Sequence, residues 1–198
     1  MTAEFDVLHV LRLKGIVSVE TAATLTGLSE TDADADLRAL EEQGMVRLRE
    51  TPRLTGWSLT PEGHARHAEL LAAQRSPEAI AALVPIYERF LSLNDRIKAL
   101  ATAWQQLAPD DKAGRWDAVE ELAEALGEAA PIVTAAAGVV PRFASYERRM
   151  TEAVEKLRAG DERYFTGVTV DSFHTVWFEC HEDLIQTLGR ERIAEGSF

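Results

Sequence analysis

The sequence predicts a mainly α-helical protein with a small β-hairpin wing: an N-terminal winged helix-turn-helix domain over residues 1–75, followed by an α-helical bundle over residues 76–198. Three observations lead there. Apolar residues recur at helical spacing in three short segments before Gly44, and the period then drops to two across a turn-rich stretch. Glycines stand where those helices must stop, at Gly15, Gly27 and Gly44. Beyond Ser76 the apolar spacing is helical throughout.

Taken in order, Phe5, Val7, Leu8, Val10, Leu11 and Leu13 make the first helix, closed by Lys14-Gly15. Val17-Ser18-Val19 offers a short strand, and Glu20 to Thr26 a brief helix ended by Gly27. The third helix starts at Ser29, whose hydroxyl caps a first turn that also holds Glu30 and Asp32, both favoured near the positive end of the dipole. Ala33, Leu37 and Leu40 form its inward stripe, and Gly44 ends it. Met45 to Glu50 then alternates, with Val46 and Leu48 out of phase with Arg47 and Arg49. Thr51 to Gly56 is a loop and Trp57-Ser58-Leu59 the returning strand. Thr60 and Pro61 open the next helix, which runs to about Gln74.

In the C-terminal part, Ser76-Pro77-Glu78 is a helix start and marks the domain boundary. Pro85 is expected to break or kink the segment that follows. Phe90, Leu93, Ile97, Leu100 and Trp104 then share one stripe of a helix from Ile86 to Leu107. Further helices are expected from Asp110 to Leu126, from Pro131, from Arg142 to Ala159, and from Val168 or Val170 to Leu188, with Arg190 to Phe198 as a frayed tail. Four or five helices on short loops imply a bundle.

Composition narrows the function classes. With 46% apolar residues in 198, the chain can bury a core without a staple. The single cysteine, Cys180, excludes an internal disulfide framework and multi-thiolate zinc sites, and is expected to behave as a buried small hydrophobe. No secretory start and no run of eighteen uninterrupted apolar residues is present, so the expectation is a soluble cytoplasmic protein with no membrane contact. The net charge of -12 opposes nucleic acid at long range. Neither domain reverses it: residues 1–75 carry eight Lys and Arg against twelve Asp and Glu, and the remainder thirteen against twenty-one.

Leu40-Glu41-Glu42-Gln43-Gly44-Met45-Val46, the hairpin, and Leu59-Thr60-Pro61-Glu62-Gly63 together resemble the MarR-like winged-helix family over roughly residues 5–75. That resemblance implies transcription regulation, dimerisation and a third helix that reads DNA. The outward positions of this third helix, however, hold Glu30, Thr31, Asp32, Asp34 and Ala35, where a DNA reader needs hydroxyl, amide or basic groups. Cations for any DNA contact reduce to Arg38, Arg47, Arg49 and Arg53.

Tyr87-Glu88-Arg89-Phe90-Leu91, Asn94, Ala103-Trp104-Gln105, Tyr164-Phe165 and the run from Asp171 to Leu184 are similar to the C-terminal region of actinobacterial pyruvate phosphate dikinase-like proteins. The likeness covers most of the chain and implies an accessory region linked to an enzyme using phosphoenolpyruvate or pyruvate. The chain is too short for the ATP-grasp and phosphohistidine machinery of a dikinase, so its catalytic activity is not implied.

The densest chemical feature is the last helix, where His174, Trp177, Phe178 and His181 fall at i, i+3, i+4 and i+7. A candidate ligand pocket combines Arg89, Asn94, Trp104, His174, Trp177 and His181, with the two tryptophans as walls and the imidazoles as polar anchors. The same histidines read more simply as core residues hydrogen-bonded to Asp, Glu or backbone on neighbouring helices. Seven residues apart, they stand about 10 Å from each other along the axis, too far to share one metal ion. His64 and His67 read as a solvated pair on the helix after the wing. No nucleophile motif, phosphate-binding loop or carboxylate dyad is present. The expectation is therefore a non-enzymatic regulatory or accessory protein, without cofactor or metal, that acts through a protein partner or self-association. Two alternatives stand beside it: a MarR-like DNA-binding regulator with a ligand-sensing or dimerising helical domain, and a small-molecule-binding helical domain.

Overall fold

The computed structural model describes residues 3–50 and 55–190, and the chain divides into two units, Met1–Ser76 and Pro77–Phe198. In the first unit, helix α1 (Ala3–Lys14) stops at Gly15, whose φ of 82° is the left-handed backbone that glycine adopts without penalty. Ser18 accepts from the Thr21 amide and starts α2 (Val19–Thr26), and Ser29 accepts from the Asp32 amide and starts α3 (Glu30–Glu42). Strands β1 (Val46–Glu50) and β2 (Thr55–Leu59) pair antiparallel, with Val46 opposite Leu59 and Leu48 opposite Trp57. Thr60 accepts from the Gly63 amide and starts α4 (Pro61–Ala73), with Pro61 in the first turn. The order helix, helix, helix, hairpin, helix is a winged helix-turn-helix.

Val7, Leu11, Val17, Leu37, Val46 and Trp57 belong to its core. The strand expected at Val17-Ser18-Val19 is reduced to one bridge, in which Val17 exchanges backbone hydrogen bonds with Trp57 at 3.0 and 2.7 Å. Ser18 is needed as the cap of α2, which ends the extended backbone there. Leu48 remains 41% exposed although it alternates inward with Val46. Alternation fixes the face a side chain takes, not how far that face is covered. Gly63 is required by a close approach, since a Cβ at this position would lie 1.9 Å from the Met45 carbonyl oxygen. The Thr60 hydroxyl ties the same corner by donating to the Gly44 carbonyl at 2.7 Å.

The second unit is a helical bundle: α5 (Pro77–Gln106), α6 (Lys112–Val139), a 3-10 turn (Pro141–Phe143), α7 (Ala144–Arg158), α8 (Arg163–Thr166) and α9 (Phe173–Leu188). Two expected interruptions are absent. α5 runs through Pro85 and α6 runs through Pro131 as single helices of 30 and 28 residues. Each proline removes one i to i−4 hydrogen bond, freeing the carbonyls of Ala81 and Gly127. Both prolines lie on exposed faces, Ala81 and Gly127 are exposed with them, and the buried stripes on either side hold the helix continuous. α9 begins later than the apolar pattern suggests, at a Ser172 cap, with the one-turn α8 before it.

α6 is long and apolar enough, by length and composition, to cross a membrane. It packs between α5 and α7, burying Val119, Leu122, Ile132 and Val133. α9 packs against α5, α7 and α8 and is buried on most of its circumference, which makes it the axis of the bundle.

Candidate functional site

The outward face of α3 is acidic. The helix carries Glu30, Asp32, Asp34, Asp36, Glu41 and Glu42 against one cation, Arg38. Glu30, Thr31, Asp32 and Ala35 are exposed in its first two turns, and Asp34 is half-buried. Arg38 donates to Asp34 at 2.7 Å within the helix, and this bond, with the charge of Asp34, raises its proton affinity. The positive helix end that would otherwise attract a phosphate faces Glu30 and Asp32 of its own first turn. Arg47 and Arg49 are exposed on β1, on the face opposite Val46 and Trp57. Arg53 lies outside the described residues.

At the other side of this unit, α1 and α4 bring together residues that their spacing did not join. His67 is buried, 2% exposed, and its Nε2 lies 3.0 Å from His9 Nδ1. The expected solvated pair of His64 and His67 is therefore corrected: only His64 is exposed. Burial, then the nearby Arg12 charge, lowers the pKa of His64. His9 escaped notice in the sequence because it stands among apolar neighbours, although its place four residues after Phe5 puts it on the same buried stripe.

In the bundle, α9 separates the candidate pocket residues. Trp177 and His181 face α5: the Trp177 ring stacks on Phe90 with centroids 4.0 Å apart, its indole N–H donates to Asn94 Oδ1 at 3.0 Å, and His181 Nε2 lies 3.1 Å from the Tyr87 hydroxyl. Trp104 stands ten residues beyond Asn94, about 15 Å further along α5, and stacks on Phe165 of α8 at 4.3 Å with the Arg115 guanidinium 4.5 Å over its ring. His174 packs on Phe178 at 4.6 Å and is half-buried, which lowers its pKa. Arg89 is exposed. Asn94, Trp177 and His181 thus meet in the α5–α9 contact, whereas Trp104, His174 and Arg89 lie elsewhere.

The other flank of α9 carries a buried ionic layer that pattern reading missed. Asp183, fully buried, accepts from Arg142 at 2.8 Å and from the Tyr146 hydroxyl at 3.1 Å. Glu179, also buried, accepts from Arg149 at 2.6 Å, and Arg149 donates to Asp171 at 2.8 Å. Burial draws the Arg149 pKa down, but Glu179 and Asp171 outweigh it and the net shift is upward. Burial first, then the Asp183 charge, pushes the Cys180 thiol and the Tyr146 phenol well up, so both stay protonated. The missed signal was a pair of matched spacings, Arg142, Tyr146 and Arg149 against Glu179 and Asp183, each at helical intervals on adjacent helices.

These side chains hold one another across helices and form no nucleophile, base and oxyanion-hole arrangement. Among the described residues, no group of three or more His, Cys, Asp or Glu is positioned to hold a metal ion. No protein-family model, curated protein or solved structure matches the chain.

Proposed function

We propose that the chain is a non-enzymatic regulatory or accessory protein whose winged-helix domain contacts another protein through α3, joined to a helical bundle that gives rigidity. The outward face of α3 carries this reading. Glu30, Asp32 and Asp34 occupy the positions from which a reading helix meets phosphates and base edges, and Asp34 already engages Arg38. A phosphate brought to that face is repelled, whereas a basic protein surface finds complementary charge that steers its approach. The pairing of the bundle's polar groups with each other supports a structural use of α9. The sequence resemblance suggests a phosphoenolpyruvate- or pyruvate-using enzyme as the partner.

A second reading, a MarR-like DNA-binding regulator, is favoured by one observation, the exposure of Arg47 and Arg49 on the wing strand. Fluorescence anisotropy against random duplex DNA and the gene's own promoter, over a salt series, separates the two. The protein-contact reading expects no binding by the wild type at low salt, and salt-dependent binding once Glu30→Lys, Asp32→Lys and Asp34→Lys are combined. Nanomolar, salt-dependent promoter binding by the wild type would replace it with the second reading. A photo-crosslinking amino acid in place of Ala35, expressed in the native host, should capture protein rather than nucleic acid.

A further inference from the structure

His9 and His67 meet in the α1–α4 contact as two buried imidazoles, 6% and 2% exposed. Their rings lie edge to edge, with centroids 5.2 Å apart and planes 19° apart, and the Phe5 ring is nearly parallel to both at 5.1 and 5.6 Å. His9 Nδ1 and His67 Nε2 face each other at 3.0 Å. Facing nitrogens at that distance share one proton, so one ring donates and the other accepts. One further proton on the pair makes an imidazolium donating to a neutral imidazole, which keeps the bond. A second sets N–H against N–H between two cationic rings, and the bond is lost.

We propose that this pair is an acid-sensitive clasp between the first and last helices of the winged-helix domain. The clasped state holds at most one extra proton, whereas the opened chain takes two. Histidine ordinarily titrates between pH 5 and 8, so an opened, solvated pair takes up its protons there.

Charged groups also stand around the pair. On α1, Asp6 and Arg12 flank His9 at i−3 and i+3. Glu4 of α1 is held by Arg66 of α4 at 2.8 Å, and Arg66 also meets Glu69 at 3.5 Å. His64 of α4 stands near Arg12, which opposes its protonation after burial does. β2 packs on both helices and carries no ionisable side chain, and α2 and α3 contribute Ala22, Ala23, Ala33 and Leu37 to the core they share with α1.

The linkage fixes the sign. The opened state binds more protons than the clasped one at acid pH, so closure strengthens as pH rises and weakens as it falls. For one excluded proton, the opening equilibrium constant rises roughly tenfold per pH unit below the histidine range. This does not depend on what α3 contacts.

Hydrogen exchange of the full chain from pH 8 to pH 5, corrected for intrinsic exchange, tests it. The α1 and α4 amides of the wild type should open about tenfold more per pH unit at the acid end. The double variant His9→Asn with His67→Gln, which keeps a neutral hydrogen-bonding pair, should lack that acid slope. Equal slopes in both proteins would overturn the proposal. Should the variant not fold, side-chain nitrogen NMR of the wild type decides: both rings doubly protonated while α1 and α4 stay protected would also overturn it. A clasp requires instead that protection be lost as the second ring gains its proton.

Discussion

Trp177 donates its indole N–H to Asn94 Oδ1 at 3.0 Å across the α5–α9 contact, with both residues buried. The bond lets a large ring pack on Phe90 without leaving its one polar atom unsatisfied. Asn94→Leu removes the acceptor and strands the indole N–H, at a cost of about 1–3 kcal/mol. Trp177→Phe in that background should then cost less than it does alone, because it removes the orphaned donor. Denaturant melts of the four proteins measure a coupling of at least about 0.5 kcal/mol if the bond contributes as argued, and additive losses would refute it.

The ionic layer on the other flank makes a larger prediction. Arg149 is buried between Glu179, itself buried, and the half-exposed Asp171. Arg149→Met takes this guanidinium away from the buried Glu179 carboxylate, and stability should fall by about 3–5 kcal/mol. Adding Glu179→Met removes that carboxylate as well. The double variant should recover most of the loss, and a double variant as unstable as the single would show that the pair is not the source.

Cys180 and Tyr146 give the bundle an alkaline limit. Both hold their protons more tightly in the folded chain, chiefly through burial and then through Asp183. A raised folded pKa contributes stability that is fully present below the ordinary thiol and phenol values and is lost as pH climbs above them, because the unfolded chain releases its protons first. Stability measured by urea melts should therefore hold level at neutral pH and decline from about pH 9 upward. Cys180→Ala together with Tyr146→Phe should flatten that decline while lowering the neutral plateau. A thiol reagent should label Cys180 only as fast as the bundle opens.

How far these contacts could be read beforehand differs between the two units. In the first, five helix ends coincide with a residue whose chemistry demands it: Ser18, Ser29 and Thr60 as caps, Gly15 and Gly27 as left-handed stops. Those signals are local and survive without knowledge of packing. In the second unit Pro85 and Pro131 give the same local signal for an end, but tertiary burial on either side overrides it. The candidate pocket residues are divided for a related reason. Helical spacing places Trp177 and His181 on one face, but which residues of α5 oppose that face depends on the axial offset of two helices, which no periodicity encodes. Asn94 and Tyr87 took the positions that Trp104 was expected to share. His9 and His67 lie 58 residues apart, and only the fold joins them.

Two glycines test the difference between a required and a tolerated absence of a side chain. At Gly63 a Cβ would lie 1.9 Å from the Met45 carbonyl oxygen, so Gly63→Ala must push the start of α4 away from the turn that enters β1. The Thr60 bond to Gly44 sits at the same corner and would stretch with it, and the loss should be about 1–3 kcal/mol, as for an overpacked core. Gly127, inside α6, meets nothing within 4 Å, so Gly127→Ala should instead stabilise by roughly 0.5–1 kcal/mol through the reduced entropy of the unfolded chain. Thermal melts of the two variants should move in opposite directions. Destabilisation by Gly127→Ala would mean that α6 bends at this point, with Pro131 one turn further on, more than an unbroken helix allows.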